Sequence, residues 1–231
     1  MDKQLNLDDI VLIGRTFDEY ARMFALDDDL LVSKTILDVA SGVSSFCAEA
    51  NSRGLNVTAT DKIYTLSPSQ IEQKCKQDLA KVVDQLPNIL DLYVWNYFKN
   101  VQSLKIHRER AYKTFIDDLK AYGAKRYIPT RYPETEFSDN RFSISLVSHL
   151  LFLYENHLDY YFHKMAILEL ARITSQEIRI FPVVNLKGEQ SAFIKPIMQD
   201  KDLERFRIRL EKVDYEFLKN GNEMMVIRLI D

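Results

Sequence analysis

The 231-residue chain is poor in the features that mark special environments. Only two cysteines are present, Cys47 and Cys75, far apart and without a CxxC pair. That excludes a zinc knuckle and makes a disulfide framework a poor reading. The first residues, MDKQLNLDD, are acidic and lack the basic-then-apolar layout of a signal peptide. No uninterrupted apolar run approaches the ~20 residues that span a bilayer. The longest candidate, Phe142 to Tyr154, carries three serines and a histidine. Basic charge is not in excess either: 31 Lys and Arg against 34 Asp and Glu leave a net charge of −3. A chain without a global basic field is not expected to bind nucleic acid by phosphate attraction. No internal repeat is found. The expected setting is cytoplasmic, with neither membrane nor nucleic acid as partner.

What remains is ordinary for a globular protein, with 46% hydrophobic and 28% charged residues. The chain is long enough to bury its own core and is read as one domain over residues 1–231. Thr16 fits an N-cap for a helix whose apolar face is Phe17, Tyr20, Met23 and Phe24. Thr35 to Ala40 reads as a buried strand, followed by a small-residue loop and a helix from about Phe46 to Arg53. Gly54 suits a left-handed C-cap, and a second strand runs from Asn56 to Asp61. Helical periodicity then fills Ser67 to Gly123, with breaks near Pro87 and Asn100. Strands are expected at Arg126 to Pro129, Ser143 to Val147 and Glu177 to Phe181. Between the last two lies a helix from Leu158 to Arg172. A helix near Ile194 to Glu204 precedes two β segments, Phe206 to Phe217 and Met224 to Ile230, joined by an Asn220-Gly221 turn. The pattern implies an α/β sheet, mostly parallel, with an antiparallel last strand.

Ligands of open α/β sheets bind beyond the carboxyl ends of the strands. The first strand ends in Asp38-Val-Ala-Ser-Gly-Val-Ser-Ser45, where Ala40, Gly42 and Ser44 allow a close backbone approach. Asp61 lies 23 residues past Asp38 at the end of the second strand, where an acid can accept both ribose hydroxyls of an adenosine cofactor. A nicotinamide dinucleotide and S-adenosylmethionine both fit that reading. Two of the three expected glycines are missing, which crowds a pyrophosphate more than a sulfonium.

These residues resemble the class I S-adenosylmethionine-dependent methyltransferases. Asp38 to Ser44 resembles the family's first motif, and Asp61 the acid ending its second strand. Phe137-Ser-Asp-Asn-Arg-Phe142, with Ser143 to His149, resembles the run entering the fourth strand. Tyr20 to Phe24, Ser44 to Ala50, Ser148 to Phe152, Arg179 to Pro182 and Asn220 to Met224 resemble an uncharacterised bacterial subgroup. The resemblance implies a seven-stranded, mostly parallel Rossmann-like sheet with its last strand antiparallel. It implies S-adenosylmethionine as cofactor and S-adenosylhomocysteine as product. The implied cofactor residues are Asp38, Ala40, Ser41, Gly42, Ser44, Asp61, Lys62, Arg131, Ser148 and His149. Arg131 and Tyr132 stand where the family often has an acid near the adenine. Ser148-His149 replaces the Asn-Pro-Pro-Tyr of many DNA and protein methyltransferases, which favours a small-molecule acceptor. Methyl transfer from an activated sulfonium needs alignment more than acid–base help, so the absence of an evident dyad does not exclude catalysis.

His149 is the candidate base, since histidine titrates near neutrality; a structural role under the cofactor is its plainer reading. His157 and His163 read as surface residues, with no carboxylate or cysteine to complete a metal site. Lys105, His107, Arg108, Arg110 and Lys113 read as a solvated helix face. Residues 62–126 far exceed a minimal crossover, so 65–125 are expected to form a helical insertion after the second strand that closes over the site as a lid. Its aromatic piece, Tyr93, Trp95 and Tyr97, is the expected acceptor wall. A homodimer is compatible with the sequence. The rival reading is a non-catalytic protein that keeps this fold and binds the cofactor for regulation or assembly. A nicotinamide-dependent oxidoreductase is a third.

Overall fold

The computed structural model describes residues 10–229. The acidic start read against a signal peptide, and Ile230 at the expected end of the last strand, lie outside the described residues. Seven strands form one sheet: β1 (Thr35–Val39), β2 (Asn56–Asp61), β3 (Tyr127–Pro129), β4 (Phe142–Ser148), β5 (Thr174–Phe181), β6 (Phe206–Lys212) and β7 (Glu223–Leu229). Their order is β3-β2-β1-β4-β5-β7-β6. Neighbours pair in parallel from β3 through to β5, whereas β7 runs antiparallel to both β5 and β6. The sheet is seven-stranded and mostly parallel with its last strand antiparallel, the arrangement that the sequence resemblance implies.

The helices are α1 (Phe17–Met23), α2 (Asp28–Leu31), α3 (Phe46–Ser52), α4 (Pro68–Gln85), α5 (Val101–Tyr122), α6 (Tyr160–Ile173) and α7 (Ile194–Met198). Local chemistry accounts for their starts. Thr16 and Glu19 form a capping box on α1, and Ser67 and Gln70 form another on α4, with Pro68 in its first turn. The side chains of Asn100 and Asp159 accept the orphan N–H groups that open α5 and α6.

Strand β1 shows how the sheet separates two cores. Side chains alternate across a strand, and Ile36 joins a cluster with Tyr20 of α1, Phe24 just after it, Phe46 of α3 and Phe115 of α5. Leu37 and Val39 join Ile167 and Leu170 of α6 on the other side. Strand order reverses between β1 and β4, which sets a crevice at their carboxyl ends.

The residues between β2 and β3 fold chiefly as α4 and α5, as expected from their periodicity. Three sequence expectations change. The helix near 194–204 is only the short α7 plus a 3-10 turn at Lys201–Leu203. The link between β6 and β7 is not a tight Asn-Gly turn but the longer segment 213–222, with Asn220 at φ +63°. That segment is drawn inward because Tyr215 and Phe217 pack into the aromatic cluster of the insertion. The aromatic stretch 89–98 is not a regular helix. It docks through the N–H of Val94 on the carbonyl of Phe217 (2.7 Å) and a bridge between Tyr93 and Leu218.

Candidate functional site

A cavity of about 420 Å³ lies at the carboxyl ends of β1, β2 and β4. Its floor is the turn that leaves β1. Ala40 (φ +47°) and Gly42 (φ +59°) both take left-handed backbone angles there, so the chain reverses within a few residues. A Cβ on Gly42 would meet only Leu12, at 3.9 Å. The glycine is therefore required by its backbone angle, while open space above it faces the cavity. The N–H of Ser41 donates to the carbonyl of Thr60 (2.9 Å), fixing the turn to β2.

Asp61 ends β2 and lines the cavity. Its Oδ2 accepts the N–H of Gly42 (2.9 Å) and its Oδ1 that of Ile63 (3.0 Å). Burial raises its pKa, and those two N–H groups work against the rise. Opposite, β4 ends in Ser148. There the Oγ is 2.8 Å from Nδ1 of His149, whose backbone is left-handed (φ +57°) and whose N–H donates to the carbonyl of Phe181 (2.7 Å). Burial first, then the charges of Arg15 and Arg108, hold the His149 pKa well below the ordinary range. The imidazole is thus held in its neutral form.

Nine of the ten residues expected from the resemblance line this one cavity. They are Ala40, Ser41, Gly42 and Ser44 of the turn, Asp61 and Lys62 after β2, Arg131, and the pair Ser148 and His149. Asp38 is the exception. It is fully buried beneath the turn, accepting from the hydroxyls of Ser41 (2.6 Å) and Tyr20 (2.9 Å). Its carboxyl is pushed up to about 7 by burial. Asp38 supports the turn rather than facing the cavity.

The insertion contributes a wall through Lys74, Leu79, Val82, Leu86, Tyr93, Leu104 and Arg108. Of the three aromatics expected there, only Tyr93 reaches the cavity. Trp95 instead packs on Phe217 (5.3 Å between rings) and donates its indole N–H to the carbonyl of Leu90 (3.1 Å). Tyr97 turns to Tyr215 and donates to Asp18 (2.7 Å). Phe217 and Tyr215 of the β6–β7 connection pack on these aromatics.

Two further expectations are corrected. Arg108 does not belong to a solvated face: it is 3% exposed and contacts both oxygens of Glu19 at 2.8 Å. It shares the inner stripe of α5 with Leu104, Ala111, Tyr112 and Phe115, whereas Arg110 and Lys113 face solvent. His163 is buried, not superficial. Its Nε2 accepts the N–H of Phe152 (2.9 Å) and its Nδ1 lies 2.7 Å from the carbonyl of Asp159. His157 is exposed, as expected.

The sequence reading passed over the segment before α1. Residues Ile10 to Ile13 and Arg15 line the cavity, with Tyr20, Tyr132 and Tyr215. Arg15 precedes a capping box, which reads as local helix chemistry and gives no hint of a long-range role. Arg108 was legible in principle, since helical spacing puts it between Leu104 and Ala111.

No family model matches the chain. It is 55% identical over 227 residues to an uncharacterized protein of Methanocaldococcus jannaschii, covering 98% of this chain and 99% of that protein. This relative is archaeal, whereas the resemblance pointed to a bacterial subgroup. Among solved structures, the chain is similar to a magnesium protoporphyrin IX methyltransferase from Synechocystis with bound SAM. The identity is 12% and the TM-score 0.49, over 93% of this chain and 78% of that one. A SAM-dependent methyltransferase from Methanosarcina mazei is similar at 12% identity and TM-score 0.46, over 85% and 92% of the two chains. A 1,6-didemethyltoxoflavin-N1-methyltransferase from Burkholderia thailandensis with bound S-adenosylhomocysteine is similar at 14% and 0.46, over 86% and 72%.

Proposed function

We propose that this chain, which belongs to the same family as the uncharacterized Methanocaldococcus jannaschii protein, is an S-adenosylmethionine-dependent methyltransferase acting on a small, largely apolar acceptor. One observation carries the reading: the turn after β1, Asp61 and the Ser148–His149 step meet around a single cavity.

The residues present fit such a cofactor. Each Asp61 oxygen accepts a single backbone N–H, which leaves lone pairs for ribose hydroxyls. Gly42 leaves room for close approach along the turn. Arg131 and the ring of Tyr132 would flank the adenine; Tyr132 is fixed by its hydroxyl, 2.9 Å from Oγ1 of Thr60. The cofactor supplies an activated methyl group on its sulfonium.

The protein's own part is to bind, orient and exclude water. The walls opposite the turn are hydrocarbon and aromatic, from Leu79, Val82, Leu86, Tyr93, Leu153 and Phe217. They would enclose the apolar body of an acceptor and align its nucleophile, the main source of acceleration in this chemistry. His149, held neutral by burial and fixed through Nδ1 by Ser148, would serve as a weak base for an acceptor that must lose a proton.

Titration calorimetry with S-adenosylmethionine, S-adenosylhomocysteine and NADH tests the reading. Stoichiometric binding of the first two and none of NADH is expected. Binding of NADH alone, or of no adenosine compound, would overturn it.

A further inference from the structure

The two edges of the sheet are built differently. At one edge β3 has three residues and ends in Pro129, which has no N–H to offer a further strand. The other edge is β6, seven residues long and without proline or glycine. Its register with β7 runs unbroken from Phe206 opposite Leu229 to Lys212 opposite Glu223, so no bulge turns it away. Among the described residues β6 pairs with β7 alone. Every second residue of β6 therefore presents an N–H and a carbonyl outward, a template for another strand.

Edges are guarded by shortness, proline, bulges or charged side chains. Only charge is present on β6, and it is of both signs. Arg207, Arg209 and Glu211 share one face, where Arg209 pairs with Glu211. Phe206, Ile208 and Leu210 lie on the opposite face, packed against the α6 side of the core but left half-buried.

The order of these side chains selects a partner. Residues directly opposite in an antiparallel pair share a face, and their side chains touch. In a twofold pairing of two β6 strands centred on Leu210, Arg209 faces the partner's Glu211 and Glu211 faces the partner's Arg209. Leu210 meets the partner's Leu210, and Ile208 lies against the stem of the partner's Lys212. No like charges oppose each other. Centring on Ile208 sets Arg207 against the partner's Arg209. Centring on Arg209 or on Glu211 sets that residue against the same charge, the partner's Arg209 or the partner's Glu211. Like charges directly opposite are destabilising, so β6 favours the Leu210 register over its neighbours.

We propose that two copies of this chain join edge to edge through β6, antiparallel about Leu210, into one continuous sheet. The same patch serves both copies, as a closed twofold dimer requires. The proposal does not depend on the cofactor reading.

The test is sedimentation equilibrium of the full chain from micromolar to submillimolar concentration. The proteins are the natural chain, Arg209→Glu, Glu211→Arg and the variant carrying both exchanges. The natural chain should reach twice its 27.1 kDa mass. Each single reversal sets like charges opposite each other at two symmetric places and should weaken association by about tenfold or more. The double exchange should restore it. A natural chain that stays at 27.1 kDa throughout would overturn the proposal. So would a dimer that the single reversals leave intact, or a double variant no stronger than the singles. Leu210→Cys gives a second reading that needs no charge reversal. Cys47 and Cys75 are buried, so mild oxidation with oxidised glutathione should link two copies of this variant through the introduced thiols. Arg207→Cys, which faces the partner's Val213, should stay unlinked. Equal linking of the two, or none of the first, would contradict the register.

Discussion

The hydroxyl of Tyr20 donates to Oδ1 of Asp38 at 2.9 Å, tying α1 to the strand that leads into the cavity turn. The Tyr20 ring also stacks on Phe46, with 4.3 Å between centroids. Tyr20→Phe keeps the stack and removes only the donor. It should cost about 1–3 kcal/mol of stability, the cost of an unsatisfied buried acceptor. Urea unfolding of the two proteins at pH 8 measures it, since there the carboxylate is charged and the loss is greatest.

Asp38 gives a pH dependence of definite sign. Its folded carboxyl is pushed up to about 7 by burial, from an ordinary value near 3.8. Between those values the folded chain keeps a proton that the unfolded chain releases, so this residue's contribution falls as pH rises. Asp38→Asn removes the titration. Relative to the natural chain, the variant should gain up to about 4 kcal/mol between pH 4 and pH 8. Unfolding midpoints that keep a constant difference across that range would contradict the assignment.

His163 acts in the opposite direction. Burial lowers its pKa, so the unfolded chain takes up a proton first as the solution is acidified. Its contribution is complete above the ordinary histidine range and fades as pH falls through about 6.5. His163→Gln should weaken the fold at pH 8 and reduce the acid-side decline seen in unfolding from pH 7 to pH 5.

Arg108 and Glu19 make a buried pair whose two halves depend on each other. Arg108→Ala leaves Glu19 buried with a full charge and should cost about 3–5 kcal/mol. Removing both side chains together should cost less than the sum of the single losses, which a double-mutant cycle in chemical denaturation reads directly.

Trp95 tests the revised place of the aromatic segment. Because it packs on Phe217 and does not line the cavity, Trp95→Ala should lower stability by about 1–3 kcal/mol. Affinity for S-adenosylhomocysteine should stay within about twofold, as expected for a separate site. A melting scan and a titration on the same sample check both halves.

The fold was legible because its signals are local and repeated. Buried strands such as Thr35–Val39, caps at Thr16 and Ser67, and the stripe of α5 each follow from short-range chemistry. The turn and Asp61 were legible because a fixed spacing ties them to one crevice. What escaped the reading depends on distant partners. Arg108 meets Glu19 only through packing of α5 on α1, the two residues lying 89 positions apart. The fate of Trp95 depends on Phe217, more than a hundred positions away. Asp38 looked like a cofactor contact because its motif names the residue and not the direction of its side chain.

The proposed function puts an S-adenosyl cofactor in the cavity after β1 and β2, held there by Asp61. Asp61→Asn keeps an oxygen for one of the two backbone N–H groups, so it spares more of the turn than alanine would. Calorimetric titration of this variant with S-adenosylhomocysteine, beside the natural chain, is the most direct measurement. Tight, stoichiometric binding is expected for the natural chain and a loss of about 10–100-fold for the variant, the value of a charged hydrogen bond to the ribose. Equal affinity in the two proteins would contradict it.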